Sequence, residues 1–135
     1  MREVRPDREK SKALFKMSKK ILSRIEETNK SNFPTQVLRD YYTVIKQLME
    51  AISSIEGLKS EGKGAHKKLI NWICKEYGFS ESKRKLLQQI RKYRNRINYE
   101  GFTIRKNYLE RNEYEIEKII KKLEEILKSK LEDEN

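Results

Sequence analysis

The stretch "IRKYRNRINYEG", residues 90–101, holds the residue types in this chain that are best suited to contact with a polyanion. It carries four cationic side chains, two tyrosines and a closing glycine. On a helical wheel Arg94 falls at the edge of the apolar stripe, so we expect its stem to be partly buried. A partly buried guanidinium is costly unless a carboxylate, a carbonyl or a phosphate meets it. The stretch is therefore an ordinary helix end, a nucleic-acid contact or part of a catalytic site.

The basic character of the chain is concentrated around this stretch. The net charge is +11, and residues 63–106, with 13 Lys or Arg and 3 acidic residues, account for +10 of it. Such a block attracts polyanions through phosphate contacts and counterion release, although a solvated face explains it about equally well. Arginines interleaved with tyrosines suit single-stranded RNA and also suit a dimer interface. The candidate nucleic-acid-binding residues are Arg91, Lys92, Arg96 and Arg105.

No motif predicts a metal or a cofactor. One histidine and one cysteine, His66 and Cys74, do not make a metal site, and Cys74 cannot form a disulfide within the chain. The segment "EGKGAHKK" places G-x-G before a helix, where backbone amides can meet a phosphate. A flexible loop explains it better, because the strand–helix context is absent. We expect His66 to cap the helix or lie at the surface, and Trp72 to pack between helices rather than stack on a base.

Apolar periodicity predicts an all-α fold of five helices in a single domain spanning residues 1–135. Apolar residues recur at spacings of three and four, and no segment alternates for long, so we expect no sheet. Four helices of about 20 residues or more and one short helix favour an antiparallel four-helix bundle. The predicted helices span about 7–28, 34–56, 65–77, 81–100 and 107–131.

Particular residues mark the predicted ends and faces of these helices. Pro34 suits a first helical turn, Ser80 is a candidate N-cap, and Gly101 is a candidate glycine just past a helix end. The tail "LEDEN" should fray. The core face of the first helix is expected at Leu14, Met17, Ile21 and Ile25.

The uncharged runs of the chain are too short to span a membrane. The N-terminal "MREVRPDREK" lacks the apolar core of a signal peptide. We therefore expect a cytoplasmic, soluble protein with no membrane partner.

The segment "RKYRNRINYEGF", at the end of a basic amphipathic helix, resembles the R-N-x-x-x-H signature of the HEPN family. The resemblance covers most of the chain: an all-α bundle, an arginine–asparagine pair late in a long helix, a loop and a final long helix. The segment "YEGFTIRKNYLERNEYEIEKII" is similar to small archaeal HEPN proteins. The resemblance implies a HEPN-like domain of toxin–antitoxin type that forms a homodimer through its fourth helix.

The resemblance also implies site residues. Active HEPN members are metal-independent ribonucleases in which the arginine binds the scissile phosphate and the histidine assists proton transfer. Arg94 would then be the phosphate ligand and Asn95 the orienting residue, while Tyr99 stands at the histidine position. An unperturbed tyrosine has a pKa of about 10, so the resemblance implies weakened cleavage. In some members a nucleotidyltransferase modifies a tyrosine that corresponds to Gly101 here, so that modification is not expected.

Three functions follow from the sequence. We expect a dimeric RNA-binding protein with phosphate contact by Arg94 and weak or no ribonuclease activity. The first alternative is an active endoribonuclease toxin in which Tyr99 replaces the histidine. The second is a non-catalytic partner subunit of a small nucleotidyltransferase.

Overall fold

The second helix lies at the centre of the fold and contacts every other helix. The computed structural model describes residues 1–133. Its five helices confirm the predicted all-α class, and their ends lie within two residues of the predicted ones. The helices are α1 (Arg8–Glu27), α2 (Pro34–Glu56), α3 (Ala65–Glu76), α4 (Glu81–Glu100) and α5 (Lys106–Asp133).

The residues predicted to begin and end helices do so. Pro34 is the first residue of α2. The Ser80 hydroxyl accepts a hydrogen bond of 3.2 Å from the backbone amide three residues further along the chain. Gly101 ends α4 in the left-handed conformation, with a φ of 65°. The prediction that the tail frays was wrong for residues 131–133, which belong to α5. Arg8 donates to the Leu131 carbonyl there, and the last two residues of the tail lie outside the described part.

A short antiparallel pairing contradicts the expectation that the chain has no sheet. β1 (Arg2–Glu3) pairs with β2 (Leu58–Lys59), and the Val4 amide donates to the Gly57 carbonyl at 2.9 Å. Strands of two residues are too short to produce an alternating pattern in sequence. Gly57 is required at this junction, because it has a φ of 75° and an added Cβ would lie 2.9 Å from the Val4 carbonyl oxygen.

The core face of α1 differs from the predicted one. Met17 is 51% exposed, whereas Ser11 and Ser18 are fully buried. The small serines allow α1 to approach α2 closely, and the Ser11 hydroxyl donates to the Ala51 carbonyl at 2.9 Å. Hydrophobic periodicity counts serine as polar and so cannot find such a face.

Helices α3 and α4 form the side of the fold that carries the basic block. Ile70 and Ile73 of α3 and Leu87 and Ile90 of α4 are fully buried, which turns the cationic residues of both helices outward. The two helices are in contact, so the loop before α3 lies beside the second half of α4. Within residues 1–133 no helix is both long and apolar enough to cross a bilayer.

Candidate nucleic-acid interface

An open cleft of about 290 Å³ lies between the start of α3 and the second half of α4. We call it the Arg94 cleft. It brings the predicted site residues Arg94, Asn95 and Tyr99 to one surface, together with residues of the loop before α3. Its lining residues are Gly62, Gly64, Ala65, His66, Lys67, Arg91, Arg94, Asn95 and Tyr99.

Arg94 is half-buried, as its place on the helical wheel predicted. Its guanidinium carbon lies 5.7 Å from the ring centroid of Tyr42, a cation–π arrangement. Its only hydrogen bond within residues 1–133 is a long one, 3.4 Å, from Nη1 to the Asn95 side-chain oxygen. No carboxylate in that range lies within 4.0 Å of it. The guanidinium therefore keeps donors available to an anion in the cleft.

Tyr42 is fully buried behind this guanidinium, and its hydroxyl has no hydrogen-bond partner among the described residues. Burial raises the pKa of Tyr42 to about 12, although the nearby Arg94 and Arg91 act to lower it. The hydroxyl is therefore protonated at neutral pH. An unpaired buried hydroxyl is costly and uncommon in proteins.

His66 is the functional candidate that the sequence did not identify. It is half-buried in the Arg94 cleft, and its ring centroid lies 6.4 Å from that of Tyr42. Burial lowers the pKa of His66, and Lys46, Arg94 and Arg91 lower it further against the opposing effect of Glu50. The imidazole is thus neutral at pH 7, with one nitrogen free to accept a proton. The predicted capping role was wrong, since no side chain within residues 1–133 caps α3, whereas a surface position agrees with the open cleft that His66 lines.

The N-terminus of α3 lines the Arg94 cleft on the side opposite α4. Gly64 is the N-cap residue, in the left-handed conformation at a φ of 76°, and no side chain of the described residues caps the helix. The amides of His66 and Lys67 have no backbone acceptor among the described residues. Uncapped amides and the helix dipole favour an anion at this position. The two glycines of "EGKG", Gly62 and Gly64, both line the Arg94 cleft.

The four candidate nucleic-acid-binding residues fall in different places. Arg91 lines the Arg94 cleft, and Lys92 lines a neighbouring cleft. Arg96 lies instead with its guanidinium carbon 4.0 Å from the Phe102 ring centroid and its Nε 3.7 Å from a carboxylate oxygen one turn along the helix. Arg105 is exposed and lines neither cleft.

The tyrosines near the motif also separate into two groups. Tyr99 is 83% exposed on the rim of the Arg94 cleft and makes no hydrogen bond within the described range. Tyr93 packs against Tyr108 at 5.1 Å and Phe102 at 5.5 Å between ring centroids, so both of these tyrosines belong to an aromatic cluster. Trp72 packs on the core and on Tyr77, as predicted.

The lining of the Arg94 cleft is positively charged. Lys67, Arg91 and Arg94 contribute three positive charges, and none of the lining residues is acidic. Cations in a concave surface concentrate anions there. The arrangement is chemically fitted to bind a phosphate group next to a neutral imidazole. Comparisons of this chain with protein-family models, with curated proteins and with solved structures found no match.

Proposed function

We propose that this protein binds RNA through the Arg94 cleft, as a HEPN-like RNA-binding protein. The observation that carries the proposal is the convergence of Lys67, Arg91 and Arg94 on one cleft that has no acidic lining residue. A phosphodiester would meet the unused donors of Arg94 and the uncapped amides of α3. Phosphate contacts of this kind supply most of the affinity of non-specific nucleic-acid binding.

The residues around these cations favour RNA as the polyanion. Tyr99 is exposed at the rim, where its ring can stack on an unpaired base. Asn95 and the neutral His66 can accept or donate a hydrogen bond to a ribose 2′-hydroxyl, the group that distinguishes RNA from DNA.

The test is binding of a labelled single-stranded RNA at low salt, followed by fluorescence anisotropy. Arg94→Ala should weaken binding by about tenfold or more, because charge-assisted hydrogen bonds contribute about 1.5–3 kcal/mol. Arg94→Lys should be intermediate, since it keeps the charge and loses the planar fork. Arg105→Ala is the matched control, because it removes an arginine that lies outside both clefts.

Two results would contradict this proposal. One is the absence of RNA binding by the wild-type protein even at low salt. The other is an equal loss of affinity in Arg94→Ala and Arg105→Ala, which would indicate diffuse attraction by net charge alone.

A second candidate function is metal-independent RNA cleavage, and the position of His66 favours it. In this reaction the neutral imidazole takes the proton of the ribose 2′-hydroxyl, and the 2′-oxygen attacks phosphorus. The bond from phosphorus to the 5′-oxygen breaks, and that oxygen takes a proton from water. Arg94 would stabilise the charge on the phosphate. The products are a 2′,3′-cyclic phosphate end and a 5′-hydroxyl end.

Cleavage is tested by separating the products of a labelled RNA incubated in the presence of a chelator. His66→Asn should abolish cyclic-phosphate ends, whereas Tyr99→Phe should retain them if histidine is the base. The opposite pattern would assign the proton transfer to Tyr99, as the resemblance to HEPN proteins implies. RNA binding without any cyclic-phosphate product leaves binding as the function and rejects cleavage.

Two partner proposals rest on the resemblance alone. A homodimer through α4 should give about twice the 16.3 kDa chain mass in light scattering, and a monomer at micromolar concentration would contradict it. A partnership with a small nucleotidyltransferase should be detected as co-purification from the source cells, and recovery of no such enzyme would count against it.

A further inference from the structure

A second basic cleft, of about 470 Å³, adjoins the Arg94 cleft along the contact between α3 and α4. We call it the Lys85 cleft. It has no acidic lining residue, and it shares two residues, Lys67 and Arg91, with the Arg94 cleft. Its lining residues are Lys67, Arg84, Lys85, Gln88, Gln89, Arg91, Lys92 and Tyr93.

Arg91 stands where the two clefts meet, and a buried glutamine fixes its orientation. Gln88 is only 8% exposed, and its amide nitrogen donates to the Lys67 carbonyl at 3.2 Å and to the Asn71 side chain at 3.1 Å. Its side-chain oxygen accepts the Arg91 Nε–H at 2.8 Å. The terminal nitrogens of Arg91 have no partner within residues 1–133. Gln88 thus connects α3 to a guanidinium whose remaining donors stay unused.

The cations of the Lys85 cleft differ in how much of their charge is neutralised. Arg84 forms a two-bond pair with Glu81, at 2.8 and 2.6 Å. Lys85 and Lys92 are exposed, and neither has an ion-pair partner in the described range. Together with the cations of the Arg94 cleft, they extend a positive surface from one cleft to the next.

The length of this surface suits several phosphates rather than one. Lys85 and Arg94 are nine residues apart on α4, which separates them by about 14 Å along the helix axis and by about half a turn around it. Phosphates along one strand of a duplex follow at about 3.4 Å of rise, so the surface accommodates roughly two to four of them, depending on how extended the strand is. Tyr99, exposed at the far end, offers a stacking surface for a base that is not paired.

We propose that the two clefts form one groove that holds successive phosphates of single-stranded RNA, with Arg91 as the shared ligand and Gln88 as its positioning residue. This inference rests on RNA binding at the Arg94 cleft. It adds that a short oligonucleotide occupies only part of the groove. In a longer oligonucleotide, Lys85 and Lys92 contact the phosphates that extend beyond the Arg94 cleft.

The experiment measures binding of labelled oligouridylates of two, four and eight nucleotides over a range of salt concentrations. The wild-type affinity should rise steeply from two to four nucleotides. Replacing both Lys85 and Lys92 by alanine should lower the salt slope for the eight-nucleotide RNA by about 1.4, since each phosphate contact on a single strand contributes about 0.7. It should weaken dinucleotide binding much less than binding of the eight-nucleotide RNA, because a dinucleotide is too short to occupy both clefts. The control, Lys16→Ala with Lys20→Ala, removes the same charge from exposed positions on α1.

The role of Gln88 is tested through its coupling to Arg91. Gln88→Met should weaken binding of the eight-nucleotide RNA in the wild-type background and have no further effect in an Arg91→Ala background. Equal effects in both backgrounds would show that Gln88 only supports folding, and would overturn its positioning role.

Other outcomes separate this inference from the function on which it rests. Affinity that does not depend on length, or equal losses in the Lys85/Lys92 variant and the α1 control, would overturn the groove and leave the Arg94 cleft intact. Binding to none of the oligonucleotides would overturn RNA binding itself. Length-dependent binding of polyglutamate that oligouridylate does not compete away would indicate an acidic protein partner and would also overturn the groove for RNA.

Discussion

The guanidinium of Arg94 lies over the ring of Tyr42, with 5.7 Å between its central carbon and the ring centroid. This contact holds a cation at the floor of a cleft without neutralising its charge, since an aromatic face attracts a cation and takes up none of its hydrogen-bond donors. The Tyr42 ring also approaches that of His66, with 6.4 Å between the two centroids. One buried tyrosine thereby positions both groups that give the cleft its chemistry.

The single histidine of the chain should report directly on occupation of the cleft. Burial and the charges of Lys46, Arg91 and Arg94 hold the pKa of His66 below its ordinary value of 6.5, against the opposing Glu50. A bound phosphate favours the imidazolium, so an oligonucleotide should raise the pKa of His66. Proton NMR of the one imidazole measures this shift. In the free protein, Arg94→Ala should also raise the pKa of His66, whereas an oligonucleotide that binds elsewhere would leave it unchanged.

Two neighbouring tyrosines should respond in opposite ways to removal of their hydroxyl groups. The Tyr41 hydroxyl donates to Glu113 at 2.7 Å, with Glu117 also within reach at 3.1 Å, so Tyr41→Phe should lower the free energy of unfolding by about 1–3 kcal/mol. The Tyr42 hydroxyl has no hydrogen-bond partner among residues 1–133, so Tyr42→Phe should leave that energy unchanged or raise it. Urea denaturation compares the two variants, and a clear loss of stability in Tyr42→Phe would contradict the unpaired state of its hydroxyl.

Gly57 should tolerate alanine less well than Gly78 does. Both have a positive φ, of 75° and 67°, so each alanine should lose about 1–2 kcal/mol of stability from backbone strain alone. At Gly57 the added Cβ would also lie 2.9 Å from the Val4 carbonyl oxygen, while at Gly78 it meets nothing within 4 Å. Gly57→Ala should therefore have the lower melting temperature. Equal losses of stability in the two variants would mean that the N-terminal segment moves away from the added Cβ at no cost in free energy.

Stability in acid should depend on Glu56, at the end of α2. Burial acts to raise the pKa of Glu56, but the bonds from Lys130 and Tyr77 outweigh burial and hold it below its ordinary value of 4.5. A lowered folded-state pKa gives stability that is present above the unfolded-state pKa and is lost as pH falls through the folded-state value. The free energy of unfolding should thus fall less steeply in Glu56→Gln than in wild type from about pH 5 to about pH 3.

Glu110→Gln is the control for that experiment. Glu110 is an exposed carboxylate on α5 that makes no hydrogen bond or ion pair within residues 1–133. Glu110→Gln removes the same charge without removing a contact, so a change in the pH profile that both variants share reflects net charge alone. A Glu56→Gln profile that matched wild type would show that Glu56 contributes nothing to acid stability.

The amino-acid sequence by itself determined the helices and their ends. Caps such as Ser80 and Gly101 and spacings of three and four act within a turn or two of the chain, so their effects can be read locally. The same local pattern found the partly buried Arg94. The pattern did not predict that Ser11 and Ser18 are buried, because it counts serine as polar. It also did not predict the two strands, because two residues are too few to show a period.

Only the tertiary structure decided which charged residues share a surface. In sequence, Arg91, Arg96 and Arg105 are equivalent members of one basic block, but packing puts Arg91 in the cleft and directs Arg96 onto an aromatic ring. His66 joins Arg94 because α3 packs against α4, a contact between segments that no local pattern connects. Side-chain interactions across helices depend on the register and crossing of the helices, and these are set by the whole core.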